Sequence, residues 1–451
     1  MLQKTFFSTP RKTNGKRTIK LLRKERGIMM NFSSTTLITF YEGETPIEYL
    51  EGRLHEMYRA NPWLNGRLVT DPQAREPVIQ YDEMSSVSVD NDDYNAGNLL
   101  QVLNLDLNIQ TPYHVMASMC EAAIVKNGLR SLDKDEKLFK VSIIIDKSSR
   151  NKFALIVSLS HVAGDGASFY SIYQMLDKDA HIQKLKIDRK FDYELCEQEI
   201  LGLSNERHCS TFSFLVPFIL SKLRRKIIGA KTTAAFLNVS TVHIEKVKRK
   251  FMKELEEKKD TDTRSSSSER KEVEFISTND ILTSWFLKLV NAPLGLMAMN
   301  MRGRTGALDL DSKQVGNYEA GIYYAKSDYQ SPALIRKSVK TRRRAASPAT
   351  SLPSLFKMLC SYRKMGVVSN WASFLEEDLK LPACRQLIHL PLYDLNSMST
   401  AGPGYSSCIL FRPKKRKLAL FIAGEENLIS SLKNQSILGK SVFEKRRKCK
   451  E

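Results

Sequence analysis

The 451-residue chain is short of the residues that build dedicated chemical scaffolds, with seven histidines, seven cysteines and three tryptophans. The cysteines (Cys120, Cys196, Cys209, Cys360, Cys384, Cys408 and Cys449) are odd in number, scattered and without Cys-x-x-Cys spacing. That pattern argues against a disulfide scaffold and fits free thiols in a reducing, cytoplasmic compartment. The histidines do not fall at metal-ligand spacing, so no metal site is expected. No apolar run approaches the roughly 20 residues that a membrane-crossing helix needs. The Gly-x-Ser-x-Gly elbow, the Gly-x-x-x-x-Gly-Lys-Ser/Thr phosphate loop and the dinucleotide fingerprint are missing, which removes three common catalytic frameworks. Acid is scarce as well: 50 Asp and Glu stand against 70 Lys and Arg, a formal net charge of +20. Such an excess suits nucleic acid, an anionic membrane or an acidic, nucleotide-bearing ligand. Zinc-finger spacing, aromatic RNA-binding signatures and basic heptads are absent, so nucleic acid is not expected.

What is present concentrates at Ser158-Leu159-Ser160-His161-Val162-Ala163-Gly164-Asp165-Gly166. The preceding run places Phe153, Leu155, Val157, Leu159 and His161 on one face of a strand. Gly164 and Gly166 allow close backbone approach, and Asp165 can accept backbone N–H groups or pair with an arginine. Phe169, Ile172, Tyr173 and Leu176 fall at helical spacing and would press a following helix onto the strand. An imidazole held there can stay neutral and act as a base near pH 7. A single histidine on an apolar face is more often a core residue, so the turn gains meaning only from its company.

That company comes in order. Asn61-Pro62-Trp63-Leu64-Asn65-Gly66-Arg67-Leu68 follows a helix-like segment, and Ser277-Thr278-Asn279-Asp280-Ile281-Leu282-Thr283, Met299-Asn300-Met301-Arg302-Gly303-Arg304 and Val315-Gly316-Asn317-Tyr318 lie downstream. Together with His-x-x-x-Asp-Gly, these segments resemble the CoA-dependent acyltransferase superfamily, which includes chloramphenicol acetyltransferase, plant BAHD acyltransferases and peptide-synthetase condensation domains. The resemblance runs roughly from Thr36 to Ala423. It implies an α/β fold of two chloramphenicol-acetyltransferase-like sandwich domains with a tunnel between them. It also implies transfer of an acyl group from acyl-CoA, as co-substrate and without a permanent cofactor, to an alcohol or amine on a small-molecule or lipid acceptor. His161 would be the general base, and Asp165 would shape the turn with Gly166 by pairing with Arg302 of the second domain. The BAHD Asp-Phe-Gly-Trp-Gly motif is missing from Leu392 to Gly404. Its absence leaves cofactor docking and oxyanion stabilisation unassigned, with Ser399 or Thr400 able to donate a hydrogen bond there. Two alternatives stay open: a non-catalytic ligand- or partner-binding protein of the same fold, and a basic surface-binding protein for anionic lipid or nucleic acid.

Charge and composition suggest the organisation. Residues 1–30 read as a basic, disordered leader with no acid in the first 24, the bias of an organelle transit peptide. Residues 31–210 form the N-terminal domain, with strands at Thr36–Tyr41, Val141–Asp146 and Phe153–Ser160. Residues 211–274 form a crossover. There Phe212–Leu220 and the following Lys222–Lys226 suit either interdomain packing or peripheral membrane contact, and Lys253–Glu272 reads as a mobile loop. Residues 275–435 form the second domain, opened by a helix capped at Ser277 or Thr278, and the resemblance implies that a segment near 367–375 crosses back to the first sheet. Residues 436–451 read as a basic tail. Pro413-Lys414-Lys415-Arg416-Lys417 sits between two strand-like runs and reads as a hairpin turn, although it also resembles a nuclear-import signal.

Overall fold

The computed structural model describes residues 15–82, 99–201, 232–261, 273–306, 308–344, 365–393, 395 and 405–443. Its strands are β1 (Lys16–Lys20), β2 (Thr35–Glu42), β3 (Arg67–Thr70), β4 (Pro77–Asp82), β5 (Leu100–Val102), β6 (Phe139–Ile145), β7 (Lys152–Leu159), β8 (Thr232–Val239), β9 (Leu294–Asn300), β10 (Glu319–Tyr324), β11 (Met365–Asn370), β12 (Arg385–Pro391), β13 (Tyr405–Phe411), β14 (Ala419–Glu425) and β15 (Leu438–Ser441). They form a three-stranded sheet, β1-β4-β3, a five-stranded sheet, β12-β2-β7-β6-β5, and a seven-stranded sheet, β10-β9-β11-β13-β14-β8-β15.

The strand that leads to His161 is the middle of the five-stranded sheet. β7 pairs antiparallel with β2 and with β6, the latter across the Lys147–Asn151 hairpin. It is buried on both faces. Its second face holds Ser158, whose hydroxyl meets Thr36 Oγ1 at 2.7 Å and accepts the Val125 N–H at 2.9 Å. A buried hydroxyl is tolerated only with such partners. The helix Gly166–Gln174 follows directly and buries Phe169, Ile172 and Tyr173.

The period of two in β13 and β14 divides their side chains between the two cores. Ile409, Phe411, Phe421 and Ala423 join the core of the five-stranded sheet, while Cys408, Leu410, Leu420 and Ile422 join the core of the second domain. Tyr113 closes the junction with its ring 4.6 Å from Phe236. Each large apolar side chain buried there is worth about 1.5–3 kcal/mol, so this face holds the domains together firmly.

Several expectations are corrected. The leader is folded from Gly15 onward: β1 pairs with β4, Ile19, Leu21 and Leu22 are buried, and a short helix, Arg23–Arg26, carries a fully buried Glu25. Apolar residues spaced among the leader's basic ones supply the anchor that its composition concealed. Residues 253–261, expected as a loop, complete the helix Thr241–Thr261. Lys250–Glu254 and Lys253–Glu257 pairs at i,i+4 support this polar helix without a large apolar face. The segment crossing back to the first sheet is β12, which pairs with β2, whereas 365–370 is β11 in the second sheet. β-branched Val367 and Val368 suit a strand in either sheet, and register alone decides. In the expected tail, Ile437 is buried and β15 pairs with β8, itself part of the expected crossover.

Pro413–Lys417 turns between antiparallel β13 and β14, with Arg416 at φ +59°. Ser277 caps the helix Thr278–Leu289 in a capping box with Asp280. Phe212–Leu220, Lys222–Lys226, Ser399 and Thr400 lie outside the described residues. No described helix is long and apolar enough to cross a membrane.

Candidate active site

His161 leaves the end of β7 just after Ser160, whose N–H still reaches Leu138 O at 2.8 Å. The strand therefore holds the backbone up to the histidine. Beyond it the chain turns so tightly that a Cβ on Gly164 would stand 2.6 Å from the Ser168 Cβ, which only glycine avoids. Asp165 then caps the next helix by accepting the Ser168 N–H at 2.9 Å on Oδ1.

Asp165 also ties the turn to the second domain. Arg302 Nη1 donates to Oδ2 at 2.8 Å and Nη2 to Oδ1 at 3.1 Å, and the Tyr318 N–H donates to Oδ2 at 3.0 Å. Both side chains are buried, at 5% and 2% exposure for Arg302 and Asp165, so the pair is not a screened surface contact. Burial alone would raise the Asp165 carboxyl; the Arg302 charge and hydrogen bonds, with those of Ser168, hold it below the usual carboxylate range. Arg302 also donates to Asn300 Oδ1, Ser168 Oγ, Gln314 O and Gly316 O, and it lies over the Tyr318 ring. The structure thus brings Asp165, Gly166 and Arg302 into one turn-to-turn junction, with Phe374 against Gly166.

His161 is partly exposed, with the edge-on ring of Phe32 5.5 Å from its own. Its Nδ1 lies 3.1 Å from Asn317 Oδ1, and Asn317 Nδ2 donates to the His161 carbonyl at 2.8 Å. Asn317 is fully buried. Behind it, Glu25 Oε1 accepts the Asn317 backbone N–H at 2.8 Å and Nδ2 at 3.2 Å. Glu25 in turn pairs with Arg189, which donates to Ala163 O inside the histidine turn and to Val315 O. Gly316 sits at φ +138°, where a Cβ would stand 3.0 Å from Arg189 Nε, so glycine is required for this packing.

Glu319 stands at the start of β10, two residues beyond Asn317. Burial pushes its carboxyl above the ordinary range; the neighbouring His161, Lys24 and Arg302 oppose the rise and Asp165 adds to it. Lys24 Nζ donates to the Glu319 carbonyl at 2.7 Å.

Glu25, Arg189 and Ser168 carry no sequence motif, and Asn317 was visible only as part of Gly-Asn-Tyr. The one signal was that Glu25 is the first acidic residue of the chain, three positions after the apolar pair Leu21-Leu22. No group of three or more His, Cys, Asp or Glu among the described residues is arranged to hold a metal ion.

The arrangement is that of a two-domain, chloramphenicol-acetyltransferase-like α/β fold. Among solved structures the chain is similar to TRI101 of F. sporotrichioides, complexed with coenzyme A and T-2, at 14% identity and a TM-score of 0.55 over 94% of this chain and 99% of that one. It is similar to vinorine synthase at 10% identity and a TM-score of 0.53, over 97% of both chains. Polyketide synthase associated protein 5 from Mycobacterium tuberculosis matches at 12% identity and a TM-score of 0.51, over 92% of this chain and 96% of that one. No family model matches the chain, and no curated protein matches its sequence. At these identities the likeness is one of fold.

Proposed function

We propose that the protein transfers an acyl group from acyl-CoA to a hydroxyl or amine of a small-molecule acceptor, with His161 as general base. The observation that carries this reading is a partly exposed imidazole at the end of a central strand, facing a turn of the opposite domain. In this reading a channel between the domains brings the two substrates to the ring and keeps water from the thioester.

The neutral imidazole takes the proton of the acceptor O–H or N–H as that atom attacks the thioester carbonyl. The tetrahedral intermediate collapses with cleavage of the C–S bond, and the imidazolium returns its proton to the departing sulfur. The products are an ester or amide and free CoA thiol, and no covalent acyl-enzyme is needed. Asp165 and Arg302, turned away into their buried pair, shape the turn and take no proton. Ser399 and Thr400 are proposed to donate to the oxyanion. The formal charge of +20 suits a co-substrate bearing several phosphates. Support for a small-molecule acceptor comes from TRI101 of F. graminearum, crystallised with coenzyme A and deoxynivalenol.

The test is release of free thiol from a panel of acyl-CoAs in the presence of candidate alcohols and amines. Acceptor-dependent release is expected, falling about 10²- to 10⁴-fold in His161→Ala with unchanged thermal unfolding. Release that His161→Ala leaves intact would overturn the assignment.

A further inference from the structure

Asn317 and Glu25 form a buried unit behind His161, and its hydrogen bonds have only one consistent polarity. The Asn317 amide nitrogen is the donor facing two acceptors, the His161 carbonyl at 2.8 Å and Glu25 Oε1 at 3.2 Å. With Nδ2 committed to oxygens, the amide cannot be flipped without setting Oδ1 against both of them. Its Oδ1 must therefore face the ring, 3.1 Å from His161 Nδ1, and an amide oxygen can only accept. Nδ1 then carries the proton.

Glu25 makes this polarity rigid. Its Oε1 also accepts the Asn317 backbone N–H at 2.8 Å, so the residue is gripped by main chain and side chain together. Glu25 is itself fixed by the Leu22 N–H on Oε2 at 2.9 Å and by Arg189 Nε on both oxygens, at 3.1 and 2.9 Å. Arg189 returns to the histidine turn through Ala163 O at 2.9 Å, which closes a ring of contacts around His161.

We propose that Asn317, oriented by Glu25, is a positioning residue that holds His161 in the Nδ1–H tautomer and so presents an unprotonated Nε2 to the acceptor. The proposal deepens the reading of His161 as base and rests on it for its catalytic meaning. The tautomer itself does not depend on that reading. It also gives the N-terminal segment a task in the site, because Glu25 arrives on the short helix that follows β1.

The full chain labelled with ¹⁵N-histidine, studied by long-range ¹H–¹⁵N correlation at about pH 8, tests this directly, with the His161 signals assigned by their loss in His161→Gln. The wild-type ring is expected as Nδ1–H with a bare Nε2, and Asn317→Ala is expected to move it toward the Nε2–H form that imidazoles favour in water. In the same variant kcat is expected to fall about 10- to 10³-fold, less than the roughly 10⁴-fold loss of a serine-protease histidine deprived of its orienting carboxylate, because a neutral amide holds the ring here, while KM for acyl-CoA changes less than about twofold. An Nε2–H wild-type ring would overturn the proposal, and this measurement needs no variant to fold. An unmoved tautomer in a folded Asn317→Ala protein would also overturn it. If the wild-type ring is Nδ1–H and shifts in Asn317→Ala but no acyl-CoA is turned over, the positioning stands and the proposed function fails.

Discussion

Replacing Glu25 by glutamine tests whether the N-terminal segment is part of the folded site or a dispensable leader. Glu25 and Arg189 are 0% and 1% exposed at the side chain, so solvent does not screen their attraction. Burial works against the guanidinium charge, and Glu25, joined by Tyr318 and Asp165, more than restores it, which raises Arg189 above its ordinary value. The glutamine keeps the shape, removes the charge and turns one oxygen into an N–H facing Leu22 N–H, Arg189 or Asn317, which are all donors. Leaving a buried charge without its counterpart costs about 3–5 kcal/mol. Chemical denaturation at neutral pH is therefore expected to show a loss of that size. Arg189→Met should be destabilised too, since Ala163 O and Val315 O lose their donor. The double variant should cost less than the sum of the single ones by about 2 kcal/mol or more, because the second change no longer strands a charge. A Glu25→Gln protein within about 0.5 kcal/mol of wild type, in the range of an ordinary surface change, would refute the assignment of Glu25 to the buried site.

His389 sits in the first-domain core among Thr39, Tyr170 and Tyr173, and burial alone lowers its imidazole to about 3 from 6.5. The unfolded chain binds the proton that the folded chain refuses, so stability falls as pH drops below about 6.5 and keeps falling to about 3. The loss at pH 5 relative to pH 8 is about 2 kcal/mol from this group, and His389→Gln should flatten that limb in pH-dependent unfolding; an unchanged slope would contradict the burial argument. Gly164→Ala sets a Cβ 2.6 Å from Ser168 Cβ and should cost about 1–3 kcal/mol by thermal unfolding. Gly52→Ala, exposed within the helix Ile47–Ala60 with open space around it, should instead stabilise by about 0.5–1 kcal/mol. Equal shifts in these two variants would show that the histidine turn is not tightly packed.

The parts of the fold legible in advance were those whose local pattern and tertiary role agree. β2, β7 and the helix Gly166–Gln174 carry their periodicity in consecutive residues, and Ser277 with Asp280 announces a helix start three residues apart. β11 and β12 were harder, since two strands of similar composition differ only in which neighbour they pair with, a choice set by register over distant sequence. The leader was misjudged because composition counts its lysines and arginines but does not weigh the few apolar residues that anchor it. In β1 only Ile19 is fully buried, yet it faces Ile79 of β4 in register, and that partner is 60 positions away.

The candidate site divides along the same line. His161, Gly164, Asp165 and Gly166 are contiguous, so their chemistry can be read from one short window. The groups that orient them come from elsewhere: Glu25 from the N-terminal helix, Arg189 from the stretch before the helix Asp192–Leu201, and Arg302 and Asn317 from the loops around β9 and β10. No spacing rule links these positions, because the chain between them is long enough to accommodate almost any separation. What links them is a demand of burial: Asp165 in the turn and Glu25 behind it are carboxylates without water, and each requires an arginine with a full set of acceptors. Arg302 and Arg189 meet that demand by binding the carbonyls of Gly316 and Val315, adjacent residues of a single loop. Asn317, the next residue, is thereby placed against His161 by both ion pairs at once. The pairs that stabilise the junction between domains are for that reason the same ones that aim the imidazole, and a change in either should be felt in both stability and turnover.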